Sequence, residues 1–474
     1  MPLDYVKLGF KCGLEIHQQL EGKKLFCSCP TVIRKEEPDF IVKRRLRASA
    51  GESGARDQAA AFEQAKQKEF AYQGYYDSIC LVELDEEPPH SVNPQALQTS
   101  IQIAKLLNCK VVDRIIFMRK TVVDGSNTSA FQRTALIGRN GHLEVNGKKV
   151  GIDTVCLEEE ACQVMARKEK EDVYNLSRLG IPLIEIATDA SIHSPEECKV
   201  VAEKLGLILR SVPGMKRGIG TIRQDVNVSI KGGARTEIKG FQEFKAIPKV
   251  VDFEVTRQLE LVKQGKEVES SVRKAEADFT TTFLRPMPGA DRMYPETDVP
   301  VIIPKVEELA KVELLEDKAK KFMDLGMGKD LAMKTVKSSD LALFEKLLKY
   351  DKVKPAFIAE TLLSYDSDVK SKFKEADPKK VTEKHWEELF SELNEGKIAK
   401  TSILEILGEV CTGKKMDLKK YELISEDELR KEMGNLVKAN PSAPLGVLIG
   451  KVMEKYRGKV DGKKVAELAN KLKR

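Results

Sequence analysis

Residues 11–20 read Lys-Cys-Gly-Leu-Glu-Ile-His-Gln-Gln-Leu, so Leu14 and Ile16 alternate with Glu15, His17 and Gln19. A period of two puts Glu15 and His17 on one face of a strand and the aliphatic residues on the other. A carboxylate beside an imidazole on a rigid strand can hold a metal ion or move a proton. One such pair is common on surface strands; its weight comes from further strand-like segments of the same kind. In residues 221–230, Ile222, Val226, Val228 and Ile230 share one face, and Thr221, Arg223, Asp225, Asn227 and Ser229 share the other. An Arg-Asp-Asn row suits a site for phosphate and a hard cation. It suits the solvated face of an antiparallel sheet as well.

Glu185 interrupts the otherwise apolar run 181–187. A buried, unpaired carboxylate is costly, so Glu185 either pairs with a base or binds a metal. The run Glu158-Glu159-Glu160 would alone be a helix start or a solvated stretch. With Glu185 nearby it becomes a supply of ligands for magnesium, which prefers carboxylate oxygens and retained waters. Residues 119–128 read as a strand entering a tight polar turn with Ser126, Asn127 and Thr128, followed by Gln132 and Arg133. Their hydroxyl, amide and backbone N–H groups can line a nucleotide or substrate pocket, or form a plain loop. There is no Walker A sequence, GxGxxG fingerprint or kinase motif set, so an ATP site must be of another type. Cys27, Cys29 and Cys80 hint at zinc, but the second pair is broken because Leu81-Val82-Glu83 follows Cys80. Zinc takes four ligands, usually as two pairs, and the expectation is no zinc.

The elements that must position these residues belong to a chain of 474 residues, long enough for two or three domains. No run has the length of a membrane span and the N-terminus lacks a signal-peptide layout, so no membrane association is expected. Nine scattered cysteines point to a reducing compartment, the cytoplasm. A net charge of +6 is compatible with an RNA partner and equally with a merely solvated surface. Up to residue 304 the pattern is α+β, largely antiparallel, with hairpin turns expected at Arg139-Asn140-Gly141 and Val145-Asn146-Gly147-Lys148. Helices are expected over 93–107 and 195–210, the second opened by Ser194-Pro195-Glu196-Glu197. From residue 305 helical periodicity takes over, as in 304–325 and 382–406. A break at Gly413-Lys414-Lys415 and helices after Asn440-Pro441 and Arg457-Gly458-Lys459 give three domains: a catalytic body (1–304), a helical connector (305–412) and a helical tail (413–474).

Several long motifs carry a resemblance. They are Gly13–Leu20, Lys24-Leu25-Phe26-Cys27-Ser28-Cys29-Pro30, Leu84-Asp85-Glu86-Glu87-Pro88-Pro89-His90 and Asp124-Gly125-Ser126-Asn127-Thr128. Further on come residues 217–227, Arg285-Pro286-Met287-Pro288-Gly289 and Met293-Tyr294-Pro295-Glu296-Thr297-Asp298. Through the catalytic body, and more loosely to the tail, the chain resembles the GatB/GatE family, in its archaeal GatE form. The resemblance implies a cradle-like β body and ATP-dependent amidation of glutamate carried on tRNA(Gln). The glutamate carboxylate takes the γ-phosphoryl group of ATP, and ammonia then displaces phosphate. It implies Mg2+ held by Glu15, His17, Glu159 and Glu185, with Asp225 close by. Ser126, Asn127, Thr128, Gln132, Arg133, Arg223, Asn227, Lys239 and Arg292 are the implied ATP or substrate contacts. No amidase signature is present, so ammonia is expected from a partner, the asparaginase-like amidotransferase subunit GatD, in a hetero-oligomer. A domain that the GatE form usually carries before the Arg-Pro-Met-Pro-Gly segment is absent, and residues 267–282 read as a short connector. Recognition of tRNA then falls to the tail, with help from Lys43-Arg44-Arg45-Leu46-Arg47. The alternatives are the related GatB form and a non-catalytic tRNA-binding subunit.

Overall fold

The computed structural model describes residues 3–47, 58–241, 243–287, 293–307, 309, 311–440, 443–456, 459–460 and 462–472. Arg292, the Pro288-Gly289 end of the motif that starts at Arg285, Pro441 and Arg457-Gly458 lie outside the described residues.

Alternation of aliphatic and polar residues builds the first of two units, Met1–Leu314, around a large sheet. Its strands are β1 (Lys11–Gln19), β2 (Phe40–Arg44), β3 (Glu69–Gly74), β4 (Lys110–Val111), β5 (Phe117–Thr121), β6 (Phe131–Val145), β7 (Lys148–Glu159) and β8 (Gln163–Arg167). They continue with β9 (Glu171–Asn175), β10 (Pro182–Thr188), β11 (Ile222–Ser229), β12 (Thr236–Phe241), β13 (Ser271–Ala275), β14 (Thr281–Pro286) and β15 (Met293–Pro295). The large sheet runs β14-β13-β12-β11-β1-β10-β7-β6-β5-β15, with β4 against β6. Within it β12 and β13 are parallel and the other pairs antiparallel. A smaller sheet runs β2-β3-β9-β8.

One face of the large sheet is the core. Leu14, Ile16, Val155, Leu157, Ile184, Ile186, Val226, Val228 and Ile238 are buried there. The helices against this face are α2 (Pro94–Leu106), α3 (Pro195–Ser211) and α4 (Ile247–Lys263); α1 (Gln58–Ala65) lies elsewhere in the unit. Two of them start where side chains meet the free N–H groups of a first turn. Asn93 accepts from Gln95 N at 3.0 Å and Ala96 N at 3.1 Å, and Ser194 accepts from Glu197 N at 3.1 Å. The expected helices over 93–107 and 195–210 are therefore present, each cap followed by a proline at the first helical position.

The two expected Asn-Gly hairpins divide. Asn146-Gly147, with positive φ at both residues, turns β6 into β7. Asn140-Gly141 instead lies inside β6, so no hairpin forms there. A Cβ on Gly141 would come within 2.4 Å of the Leu107 carbonyl oxygen, so glycine lets residues 107–109 press against the strand. The expected connector at 267–282 contains β13 and leads by a turn into β14, so it is sheet rather than a plain link. The described residues of 304–314 form no helix. Val306, Leu309, Val312 and Leu314 pack on the core of the first unit, and the expected helix over 304–325 begins only at Leu315.

The second unit, Leu315–Arg474, is all-α. It contains α5 (Leu315–Asp324), α6 (Lys329–Lys337), α7 (Leu341–Leu347), α8 (Pro355–Lys372), α9 (Glu383–Asn394), α10 (Ile403–Cys411), α11 (Glu426–Ala439), α12 (Leu445–Lys455) and α13 (Gly462–Leu472). Leu429, Met433, Leu448, Val452, Val465 and Ala469 from the last three helices form a core of their own. Among the described residues no helix is long and apolar enough to cross a membrane.

Candidate functional site

The face of the large sheet opposite the core carries charge where an ordinary exposed sheet would carry mixed polar residues. β1 is the centre of it. His17 is paired in register with Glu185 of β10 and Arg223 of β11, and Glu15 with Asp225 of β11. Next to Glu185 across β7 is Cys156, and Glu158 follows two residues on. Gln132 of β6 pairs with Lys120 of β5. On the other flank Asn227 pairs with Glu237 of β12. Strand pairing thus assembles the floor from residues more than a hundred positions apart.

His17 Nε2 lies 3.3 Å from Glu15 Oε1 and 3.3 Å from Glu185 Oε2, and all three are mostly shielded from solvent. Lys120 Nζ is 3.6 Å from Glu185 and also pairs with Glu158, while Gln132 Nε2 donates to Glu158 at 3.0 Å. Lys239 Nζ donates to Asp225 at 2.6 Å and pairs with Glu237. Arg235 Nε donates to Asn227 Oδ1 at 2.9 Å. Arg223 donates to Glu160 at 2.8 and 3.0 Å, which ties it to the rim of the floor.

Two carboxylates sharing one imidazole cannot ionise independently. Burial, and then the Glu185 charge, push the Glu15 carboxyl up to about 7. Burial pulls the His17 imidazole down, but the Glu185 hydrogen bond and the Glu15 charge outweigh it and bring it up to about 9. Burial likewise works against the Glu185 carboxylate, yet Lys120 and His17 hold it well below the usual range. The Lys239 ammonium, opposed by burial, is held above its usual range by Asp225 and Glu237.

The three adjacent glutamates point to three different places. Glu158 enters the floor. Glu159 does not join Glu15, His17 and Glu185: successive residues of a strand alternate in face, so it falls on the side of Leu157. There its Oε1 accepts from Arg133 N at 2.9 Å and from the Arg133 guanidinium at 3.3 Å. Arg133 continues to Glu296 at 2.8 Å, and Glu296 to Arg119 at 2.7 Å. Glu160 receives Arg223 and Gln19. Asn127, Thr128 and Arg133 line a small buried pocket with Phe26, Glu83 and Glu159, away from the floor. Ser126 closes an Asx turn on Asp124, donating through Oγ at 2.6 Å. Of the sequence candidates, the structure therefore brings together Glu15, His17, Glu185, Asp225, Asn227, Gln132 and Lys239, with Arg223 at the edge. Lys43, Arg44 and Arg45 pair with Glu69, Glu171 and Glu86.

Sequence reasoning passed over Lys120, Glu237 and Arg235, and took Glu158 only as part of the acidic run, with Glu159 as the expected ligand. Glu237 and Lys239 stand two apart, and Lys120 sits three after the core residue Phe117, so a face assignment was available for them once their strands were placed. Cys80 and Glu83 were set aside because the second thiol of a pair was lacking. In the fold they meet Cys27 and Cys29, with the carboxylate in the missing position.

Two groups on the floor have the donor chemistry for a divalent cation. Glu15, His17 and Glu185 offer ligand atoms within 4.8 Å of one another, and so do Glu15, Asp225 and Glu237. The second trio is all oxygen, as Mg2+ prefers, but Lys239 already neutralises part of it. Both fit the ion; they share Glu15.

Fold and floor together define a ligand-binding α+β enzyme body joined in sequence to an all-α unit. Residues 10–310 match the GatB/GatE catalytic domain, and residues 342–472 match the GatB domain. The chain belongs to the GatB/GatE family and is an amidotransferase, a ligase. It is 36% identical to the E subunit of glutamyl-tRNA(Gln) amidotransferase from Methanocaldococcus jannaschii, over 99% of each chain. It is 37% identical to the protein of that name from Archaeoglobus fulgidus, over 99% of this chain and 98% of the relative. For the one from Pyrobaculum arsenaticum the identity is 35%, over 97% and 98%. The first alignment spans 627 positions against the 474 residues here, so a large insert of the relative is missing from this chain.

Proposed function

We propose that the chain converts glutamate esterified to tRNA(Gln) into glutamine, using ATP and Mg2+. The side-chain carboxylate of the tRNA-bound glutamate attacks the γ-phosphorus of ATP, giving an acyl phosphate and ADP. Ammonia then attacks the acyl carbon and phosphate leaves, with a proton lost from nitrogen. The observation that carries this reading is the convergence of Glu15, His17 and Glu185 on one point of the polar face of β1 and β10.

Glu15 and Glu185, with His17, would hold Mg2+, and Asp225 and Glu237 extend the donor set toward β12. When bound, the cation supplies positive charge against the phosphate oxygens during transfer. Lys120 and Lys239 bring two further positive charges to the same floor, and Arg223 a third at its edge. These groups can orient an anionic substrate without moving, because each is already held by a carboxylate. Glu158 holds Lys120 in place. The catalytic body (1–304) carries this chemistry, the connector (305–412) follows, and the tail (413–474) contacts tRNA. Ammonia comes from the asparaginase-like partner GatD in a hetero-oligomer, in the cytoplasm.

Amidation of Glu-tRNA(Gln) by the chain with ATP, Mg2+ and ammonium chloride tests this. Glutaminyl-tRNA formed with one ADP per turnover supports it; tRNA binding without ADP or glutamine, even with GatD added, rejects it in favour of a non-catalytic role. Within the same assay, Glu158→Gln is expected to lower kcat about 10- to 100-fold, because Lys120 loses a charged anchor. Glu159→Gln, on the other face, is expected to leave the Mg2+ requirement unchanged and to lower stability by about 1–3 kcal/mol, read from thermal melting. Equal losses of kcat in both variants would show that face does not decide role.

A further inference from the structure

Outside the floor, three thiols and a carboxylate meet at the junction of two loops. Residues 23–30 form a tight loop, closed by Lys24 N donating to the Cys29 carbonyl at 2.9 Å and anchored by the buried side chains of Leu25 and Phe26. It presents Cys27 and Cys29. The second loop presents Cys80 and Glu83. The four ligand atoms lie within 4.8 Å of one another, and Cys27 Sγ is 3.0 Å from Glu83 Oε1. Cys27 and Glu83 are buried, and Cys29 and Cys80 half-buried. The other oxygen of Glu83 accepts from Cys80 N at 2.8 Å, which fixes the orientation of the carboxylate.

A second observation points into the same cluster. Lys24 is completely buried, and its Nζ makes no hydrogen bond; its nearest anion is Glu83, at 3.7 Å. An ammonium left like this is costly unless more negative charge is close by. Three thiolates and a carboxylate around a divalent ion carry a net charge of −2, and Lys24 offsets half of it.

We propose that Cys27, Cys29, Cys80 and Glu83 bind one structural zinc ion. Three sulfur donors and one oxygen donor suit a borderline-soft, tetrahedral divalent cation, and four protein ligands leave no position open for substrate. The ion staples residues 24–30 to residues 80–86. Glu83 also accepts through its carbonyl from Thr128 Oγ1 at 2.7 Å, so the staple braces the 124–128 turn and the buried Arg133–Glu159 pair beyond it. The sequence argument against zinc fails here because the fourth ligand is a carboxylate, placed three residues after Cys80.

The test is metal analysis of the full chain, purified reduced with zinc supplied and then dialysed against metal-free buffer. About one zinc per chain is expected, as for a closed four-ligand site. Cys29→Ser and Cys80→Ser should each lose most of it, and Glu83→Gln should hold it at least tenfold less tightly against a chelator. Cobalt(II) in place of zinc should give sulfur-to-cobalt charge-transfer absorption and the intense visible bands of tetrahedral coordination. A wild-type chain that keeps almost no zinc and shows no such bands overturns the proposal. So does full zinc retention in folded Cys29→Ser and Cys80→Ser. The cobalt spectrum of the wild type decides the matter even if a variant fails to fold.

Discussion

Glu185→Gln and Glu15→Gln are each expected to lower kcat for ammonia-dependent amidation by about 10^2–10^3-fold or more, the range for removing one charged group aimed at a reacting centre. The substitution is nearly isosteric, and the amide can still hydrogen-bond to His17 or Lys120, so the sheet should stay intact. What disappears is one negative charge from a trio whose members lie within 4.8 Å. Two signatures separate this from a structural defect. The Mg2+ concentration needed for half-maximal rate should rise, because a ligand has been weakened. The KM for tRNA should stay close to wild type, because neither residue belongs to the part assigned to tRNA contact. Glu15 is shared by both donor trios, so Glu15→Gln should raise the Mg2+ requirement more than Asp225→Asn does. Wild-type kcat in Glu185→Gln would remove the floor from the mechanism.

A second large effect is expected behind the sheet, on the face opposite the floor. Glu254 of α4 is completely buried and receives Arg257 at 2.9 and 2.7 Å, Gln258 at 3.0 Å and Thr281 Oγ1 at 2.9 Å, with Arg273 at 3.5 Å. It ties the helix behind the sheet to β13 and β14. Glu254→Ala leaves these donors and two guanidinium groups without their carboxylate, and the expected loss is about 3–5 kcal/mol. Urea unfolding of the full chain, followed by a probe in the first unit, measures it. Burial pushes the Glu254 carboxyl up, but Arg257, Gln258 and Thr281 outweigh it and hold it below 4.5. A carboxylate depressed in the folded state contributes stability above its unfolded value and loses it as pH falls through its folded value. The difference between wild type and Glu254→Ala should therefore be full at neutral pH and narrow below pH 4.5. A gap that does not change with pH would show that lost packing, not charge, sets the cost.

On the proposed function, the missing insert bears on where tRNA is recognised. The relatives align over almost their whole length, so what the insert contributes in them must here be supplied by other residues or dispensed with. The Lys43–Arg45 cluster is a weak substitute, because Lys43 and Arg44 are already committed to Glu69, Glu171 and Glu86. Exposed pairs of this kind cost little to open, so the cluster can contribute charge but not a pre-arranged surface.

The face that each polar residue occupies was legible in the sequence. Glu15 and His17, Glu185, and the Arg223-Asp225-Asn227 row each stand in a strand whose aliphatic neighbours enter the core, and a period of two is a local property of the backbone. The helix starts at Asn93 and Ser194 were legible for the same reason, since a cap is made within one turn. Which strands lie side by side is not local. Placing β1 between β10 and β11 joins His17 to Glu185 and Glu15 to Asp225, and only packing of the aliphatic faces against α2, α3 and α4 selects that order. The run Glu158-Glu159-Glu160 shows the limit most clearly: composition offers three equal carboxylates, and the register of β7 sends one to the floor and one to Arg133 behind it. Cys27, Cys29, Cys80 and Glu83 meet for the same reason, since two loops distant in sequence are brought together by the core beneath them. The sequence by itself determined the chemistry available on each strand; the tertiary structure decided which groups share a site, because pairing energy comes from long-range burial that no local pattern records.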